Sequence, residues 1–171
     1  MNGIPTKINL FNLYTQGNRM LGISDEVTLP DFEALSETIS GAGILGEIDD
    51  PTVGHFGSME QEVPFRVLDE DAVGLMDPTA PVNITLRAAQ QVSTVDGAVT
   101  FKPMRVVMRG KNKSLSLGSV KQATAMSTSI SMELTYILIE LNGKPMVELD
   151  KLNGVFKIKS VDIMSKAREM C

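Results

Sequence analysis

The chain has 171 residues, 43% of them hydrophobic and 22% charged, a balance that fits one globular domain of about this length and excludes wholesale disorder. Its single cysteine, Cys171, excludes an internal disulfide framework and a thiolate metal cluster. Residues 1–98 hold four basic and fifteen acidic side chains and residues 99–171 twelve basic and six acidic, so the net charge of −5 hides two halves of opposite sign.

The N-terminus carries no basic region followed by an apolar stretch and a cleavage site, and no apolar run reaches the 18 residues a membrane span requires. Residues 4–13 alternate and predict a first strand, ended by Gln16-Gly17-Asn18, with a short second strand over 19–23. Residues 32–39 predict further extended chain. Residues 40–58 hold five glycines, Asp49-Asp50 and Pro51, which predicts a projecting loop or arm with a small strand or hairpin arm near 44–48, one solution being an arm ordered only against a neighbour. Residues 59–67 alternate as a strand. Residues 68–76 follow helical spacing with Asp69, Glu70 and Asp71 at the start, predicting one flanking helix of two or three turns.

Asp96-Gly97 predicts a hairpin between strands over 82–95 and 99–108, with Pro103 confined to an edge or bulge. Residues 126–141 show period-two patterning, with Ser127, Ser129, Ser131, Glu133 and Thr135 on one side. Beyond Thr135 both sides turn apolar, which predicts a strand buried on both faces. Asn142-Gly143 and Asn153-Gly154 are turn signals, so a three-stranded meander closes the sequence. A strand of up to sixteen residues is longer than ordinary domains use, and an exposed edge of that length calls for a partner surface or a lumen.

Catalytic chemistry finds no support. His55 has no second histidine to share a metal and no nucleophile motif beside it, so it reads as a solvent or interface residue. Asp49-Asp50 and Asp69-Glu70-Asp71 lack the spacing of a calcium loop, and the glycines at 41–46 lack the lysine and hydroxyl of a phosphate loop. The eleven methionines read as core or interface filling. Between residues 99 and 125 six basic side chains occur without an acidic one, which reads as a solvated face, a subunit interface or, least well given the lack of interleaved aromatics, a nucleic-acid groove. No cofactor is expected. A monomeric β-sandwich binding module is the alternative to an assembling subunit, although a chain with no tryptophan and two tyrosines suits carbohydrate binding poorly. A small hydrolase on a β fold is a third reading.

Lys7-to-Leu13 (KINLFNL), Val27-Thr28-Leu29-Pro30, Gly41-Ala42-Gly43, Val106-Val107-Met108-Arg109-Gly110, the segment from Ser129 to Tyr136, Asn142-Gly143-Lys144 with Glu148-Leu149-Asp150, and Asn153-Gly154-Val155 are short fragments. Their order and spacing resemble the major tail tube proteins of contractile-tailed, P2-like bacteriophages and of related phage-tail-like bacteriocins. The resemblance implies one tail-tube domain over residues 1–171, with a mainly β, antiparallel β-sandwich or barrel fold and one short flanking helix. It implies hexameric rings stacked into a hollow tube within a sheath, baseplate or initiator and terminator proteins as further partners, DNA passing through in a phage, and no membrane insertion of the monomer. It implies an inter-subunit arm over 40–58, including Gly43, Ile44, Leu45, Asp49, Asp50 and His55. Ser127, Ser129, Ser131 and Glu133 become candidates for the lumen. Lys102, Arg105, Arg109, Lys111, Lys113 and Lys121 become candidates for a basic interface.

Overall fold

The structure is a computed structural model that describes residues 3–171. Eleven strands and two short helices follow in the order β1 (Gly3–Thr15), β2 (Asn18–Arg19), β3 (Ala34–Ile39), β4 (Ile48–Phe56), β5 (Glu60–Phe65), α1 (Glu70–Gly74), β6 (Val82–Thr94), β7 (Val99–Ser116), β8 (Thr128–Leu141), β9 (Lys144–Asp150), β10 (Val155–Ile158), β11 (Val161–Asp162) and α2 (Ser165–Glu169). The chain is mainly antiparallel β. One large sheet runs β11-β10-β9-β8-β7-β6-β1-β2, with β5 added along β8, and a separate two-stranded sheet joins β3 to β4. Among the described residues no pairing joins β11 back to β2, so the large sheet is open.

The turn chemistry accounts for the hairpins. Thr94 and Ala98 close the β6–β7 turn, with Gly97 at φ 82°, and Asn142 and Gly143 at φ 52° and 74° give the β8–β9 turn the left-handed pair that a two-residue hairpin requires. The β9–β10 turn is held by the Asp150 carboxylate, which accepts from the backbone N–H of Leu152 and Asn153 and from the Asn153 amide. Pro103 lies one residue past the Met104–Leu141 pair, where β8 has turned away, so its missing donor falls at an edge.

The core sits on one face of the β1-β6-β7-β8 sheet. Leu13, Ile84, Leu86, Val106, Met108, Ile130, Met132 and Leu134 form a buried cluster with Val63 and Phe65 of the adjoining β5, Ala72 and Leu75 around α1, and Met20 and Met59. Gln61 of β5 is wholly buried and donates to the carbonyl of Thr28, while Ser24 N–H donates to Pro64 O, so the segment before β3 is laid over the core. The Asp69 carboxylate accepts from Ala72 N–H and caps α1.

Four expectations from the sequence need correction. The helix over 68–76 has only five residues, Glu70–Gly74 with Leu75 at its C-cap, and the turn that follows is held by Thr79, whose N–H and hydroxyl donate back across Pro78 to the Asp77 carboxylate. A second five-residue helix, α2, closes the chain where a strand was the last element expected. The strand after Asp96-Gly97 does not stop at residue 108 but continues to Ser116.

The fourth concerns β8. It is not buried on both faces past Thr135, because Arg109 pairs with Tyr136 and Gly110 with Leu134, which leaves Thr135 as an extra residue. The bulge shifts the strand by one phase, so the buried series Ile130, Met132, Leu134 resumes at Ile137, against Leu149 of β9.

Candidate assembly surfaces

The segment 40–58, expected as a projecting loop or arm with a small strand or hairpin near 44–48, forms the turn and second strand of a hairpin. β3 and β4 pair through Ser36–Pro51, Glu37–Asp50, Thr38–Asp49 and Ile39–Ile48, and the turn lies between them over 40–47. Gly43 and Gly46 take positive φ in that turn, and Ile44 N–H donates to Gly41 O. Every residue from Asp31 to Val53 is exposed, Leu35, Ile39, Ile44, Leu45, Ile48 and Val53 among them. Six exposed aliphatic side chains on one hairpin leave it with much uncovered apolar surface.

The arm is held at its base. The Phe56 ring meets Phe32 at 5.6 Å and Phe156 at 5.1 Å, both edge-on. Gly54 turns the strand at φ 75° beneath Met164, whose sulfur stands 2.4 Å from where a Cβ would project. Gly57 N–H donates to Glu33 O and Gly57 O accepts from Lys151 Nζ at 3.0 Å. His55, between these anchors, is exposed.

Glu133 belongs to the same joint. Its carboxylate accepts from Ser58 Oγ at 2.7 Å and Met59 N–H at 3.2 Å, with Lys151 Nζ at 3.9 Å. Burial pushes its pKa upward, but the hydrogen bonds from Ser58 and Met59 and the charges of Lys151 and Lys113 outweigh it and hold the carboxyl below its ordinary value. Ser129 and Ser131 share its side of β8, opposite Pro64 and Glu62 of β5, and are half-buried, whereas Ser127 precedes the strand at φ 56° and is exposed.

That side continues across the sheet as three rows that the sequence did not bring together. Asn12, Arg87, Arg105 and Glu140 form one, Tyr14, Thr85, Val107, Leu138 and Glu148 a second, and Asn83, Arg109, Tyr136 and Asp150 a third. Arg87 lies over the Tyr14 ring at 5.0 Å and Arg109 over Tyr136 at 4.6 Å. Tyr136 donates to Glu148 and its pKa is raised, burial first and the Glu148 bond second.

The six basic candidates therefore do not form one strip. Arg105 is paired with Glu140 at 2.5 Å and Lys113 with Glu60, while Arg109 stands over Tyr136. Lys102 points to the core side with Met104, Lys111 is exposed opposite Glu133, and Lys121 sits in the β7–β8 connection. Among the described residues no group of three or more metal-ligating side chains gathers, and no helix is long and apolar enough to cross a membrane.

The family model described as "Phage tail tube protein FII" matches residues 5–170. This chain belongs to that family. It is 30% identical over 174 residues to the tail tube protein of Escherichia phage P2, a match covering 96% of each chain. It is 26% identical over 154 residues to the major tail tube protein of Serratia phage KSP20, covering 90% of this chain and 88% of that one. Membership makes the chain a non-catalytic structural component of a virion-type tail, as the sequence resemblance implied.

Proposed function

We propose that this chain is the repeating subunit of the inner tube of a contractile tail, a single tail-tube domain that assembles as hexameric rings stacked into a hollow conduit. The observation that carries the reading is the β3–β4 arm in a chain whose family match spans nearly its whole length: a formed hairpin that buries none of its aliphatic side chains within its own chain. A second copy supplies the missing cover.

In this reading the open sheet path closes only between copies, and neighbouring subunits complete the barrel-like wall. β8 is about 45 Å long at about 3.3 Å per residue, which gives each subunit one long strand along the wall. The β5 end of the Glu133 side of the sheet, with Ser129, Ser131 and Ser127 at the strand entry, faces the lumen, while the far end of that side, with Arg87 and Arg105, turns toward a neighbouring copy. The neighbouring carboxylates Glu60, Glu62 and Glu133 keep that end of the sheet from being strongly basic, which lets a polyanion pass without being held by counterion release. The sheath contacts the outer wall, baseplate or initiator and terminator proteins cap the ends, and the tube serves a genome-delivering phage or a DNA-free particle.

Negative-stain microscopy of the purified protein over a concentration series tests this. Rings or hollow rods of constant diameter are expected. A species that stays at 18.5 kDa at every concentration points instead to a monomeric binding module.

A further inference from the structure

Three cross-strand pairs place like charges directly opposite each other, an arrangement that destabilises an isolated sheet. Glu60 and Glu133 are each offset by a lysine, Lys113 and Lys151, whereas the other two pairs are not fully compensated. On the arm, Glu37 of β3 faces Asp50 of β4, flanked on the same side by Leu35 and by the Ile39–Ile48 pair. On the large sheet, Arg87 of β6 faces Arg105 of β7, flanked by the apolar row Leu10, Ala89 and Pro103 with Phe101 beside it. Within the chain Glu37 and Asp50 are solvent-exposed, and among the described residues neither takes part in an ion pair. Arg87 is exposed over Tyr14, and Arg105 holds Glu140, whose single charge leaves the arginine pair in excess.

The two surfaces are opposite in sign. Residues 31–50 of the arm contain six acidic side chains and no basic one. The arginine pair and the apolar row line an open groove of about 580 Å³, with Leu10, Ala89, Phe101 and Pro103 among its apolar lining and Arg87, Arg105 and Glu140 among its charged lining. Each surface is an aliphatic patch wrapped around a like-charge pair that a partner of opposite sign would satisfy.

We infer that the arm of one copy docks in the Arg87–Arg105 groove of another, Glu37 and Asp50 meeting the two arginines while Leu35, Ile39 and Ile48 cover Leu10 and Phe101. This deepens the tube reading and rests on it, because it names the surface that receives the arm. It gives the acidic segment 31–50 a partner surface, although the arginine pair joins one strand from each half of the sequence. Opposed like charges at such a contact cost several kilocalories in protein interfaces, so one reversal at each copy suffices to lose assembly at least about tenfold.

The test is a charge exchange in the full chain. Asp50→Arg and Arg87→Asp are expected each to reduce the sedimenting assembled fraction at least about tenfold, and the two together on one chain to restore it. Far-ultraviolet circular dichroism on each variant shows that the monomer is still folded. As an independent arm, Asp50→Cys and Arg87→Cys in a Cys171→Ser background is expected to give, on oxidation of assembled material, a ladder of covalent oligomers rather than a cyclised monomer. Wild-type tubes with a double exchange no better than the singles and no ladder overturn the docking site and leave the tube reading standing. Wild-type protein that stays monomeric at every concentration overturns both.

Discussion

Replacing Gly110 by alanine tests whether the β8 bulge organises the core. A Cβ built on Gly110 would lie 1.9 Å from Glu133 O, 2.8 Å from Glu133 C and 3.1 Å from Leu134 Cα. All three are backbone atoms, so no side chain can swing aside, and β7 and β8 must part locally by more than about 1 Å to reach ordinary contact. Overpacking of this kind costs about 1–3 kcal/mol, and separating the strands forfeits one or two ladder hydrogen bonds at about 1 kcal/mol each. About 3 kcal/mol in total, in a chain of this length, lowers the melting temperature by about 6–12 °C. Thermal unfolding followed by circular dichroism measures it, with Gly143→Ala as the control, since that position has nothing within 4 Å and strains only its φ of 74°. A Gly110→Ala protein melting within about 2 °C of wild type would mean that the strands are not this close and that the bulge does not set the phase of β8.

Glu133→Gln removes the charge that accepts from Ser58 and Met59. Because the folded carboxyl is held below its ordinary value of 4.5, its contribution is present above that pH and is lost as the pH falls through the lower folded value. Unfolding midpoints measured from pH 7 to pH 3 are therefore expected to converge between wild type and variant at the acid end, and a gap that stays constant contradicts the assignment. Phe56→Ala breaks the edge-on contacts with Phe32 and Phe156 and is expected to raise amide exchange across 34–56 while the core strands keep their protection; uniform exchange in both proteins counts against the joint. Asp69→Ala removes the cap of α1 at a cost of about 1 kcal/mol, read as a fall of about 2–4 °C in the melting temperature.

What could be read from the sequence is what burial and turn chemistry write into it. Asp96-Gly97, Asn142-Gly143 and Asn153-Gly154 are all turns, and the alternation through Ile130, Met132 and Leu134 is the core face of β8. The bulge escaped notice because its cause lies on another strand: nothing beside Thr135 signals that Gly110 leaves room for it. The far end of β7 and the run of β4 beyond Ile48 are not legible for one shared reason, that residues 111–116 and 48–53 are mostly exposed and so carry no apolar period. Charge behaved likewise. The six basic residues after Val99 look like one strip on paper, but pairing with Glu140 and Glu60 removes two of them, and the pairing of Arg87 with Arg105 arises only from register.

The arm shows how the joint at its base bears on assembly. The glycines of 40–58 suggested a segment ordered only by its neighbour, which would leave the entropy of ordering to be met at the moment of association. That cost is about 1–2 kcal/mol for each backbone residue fixed, enough over twenty residues to consume the gain from any interface of ordinary size. A lone two-stranded hairpin is marginal in water, so a preformed arm needs support from elsewhere. Phe56 between Phe32 and Phe156, Gly54 under Met164, and Ser58 and Met59 on Glu133 provide it, all within eight residues of the point where β4 leaves the body. The ordering cost is thus carried by folding rather than by docking, and the aliphatic area of the arm is left to act almost wholly as affinity. On this argument Phe56→Ala weakens assembly more than its modest effect on the melting temperature implies, because it returns the ordering cost to the docking step.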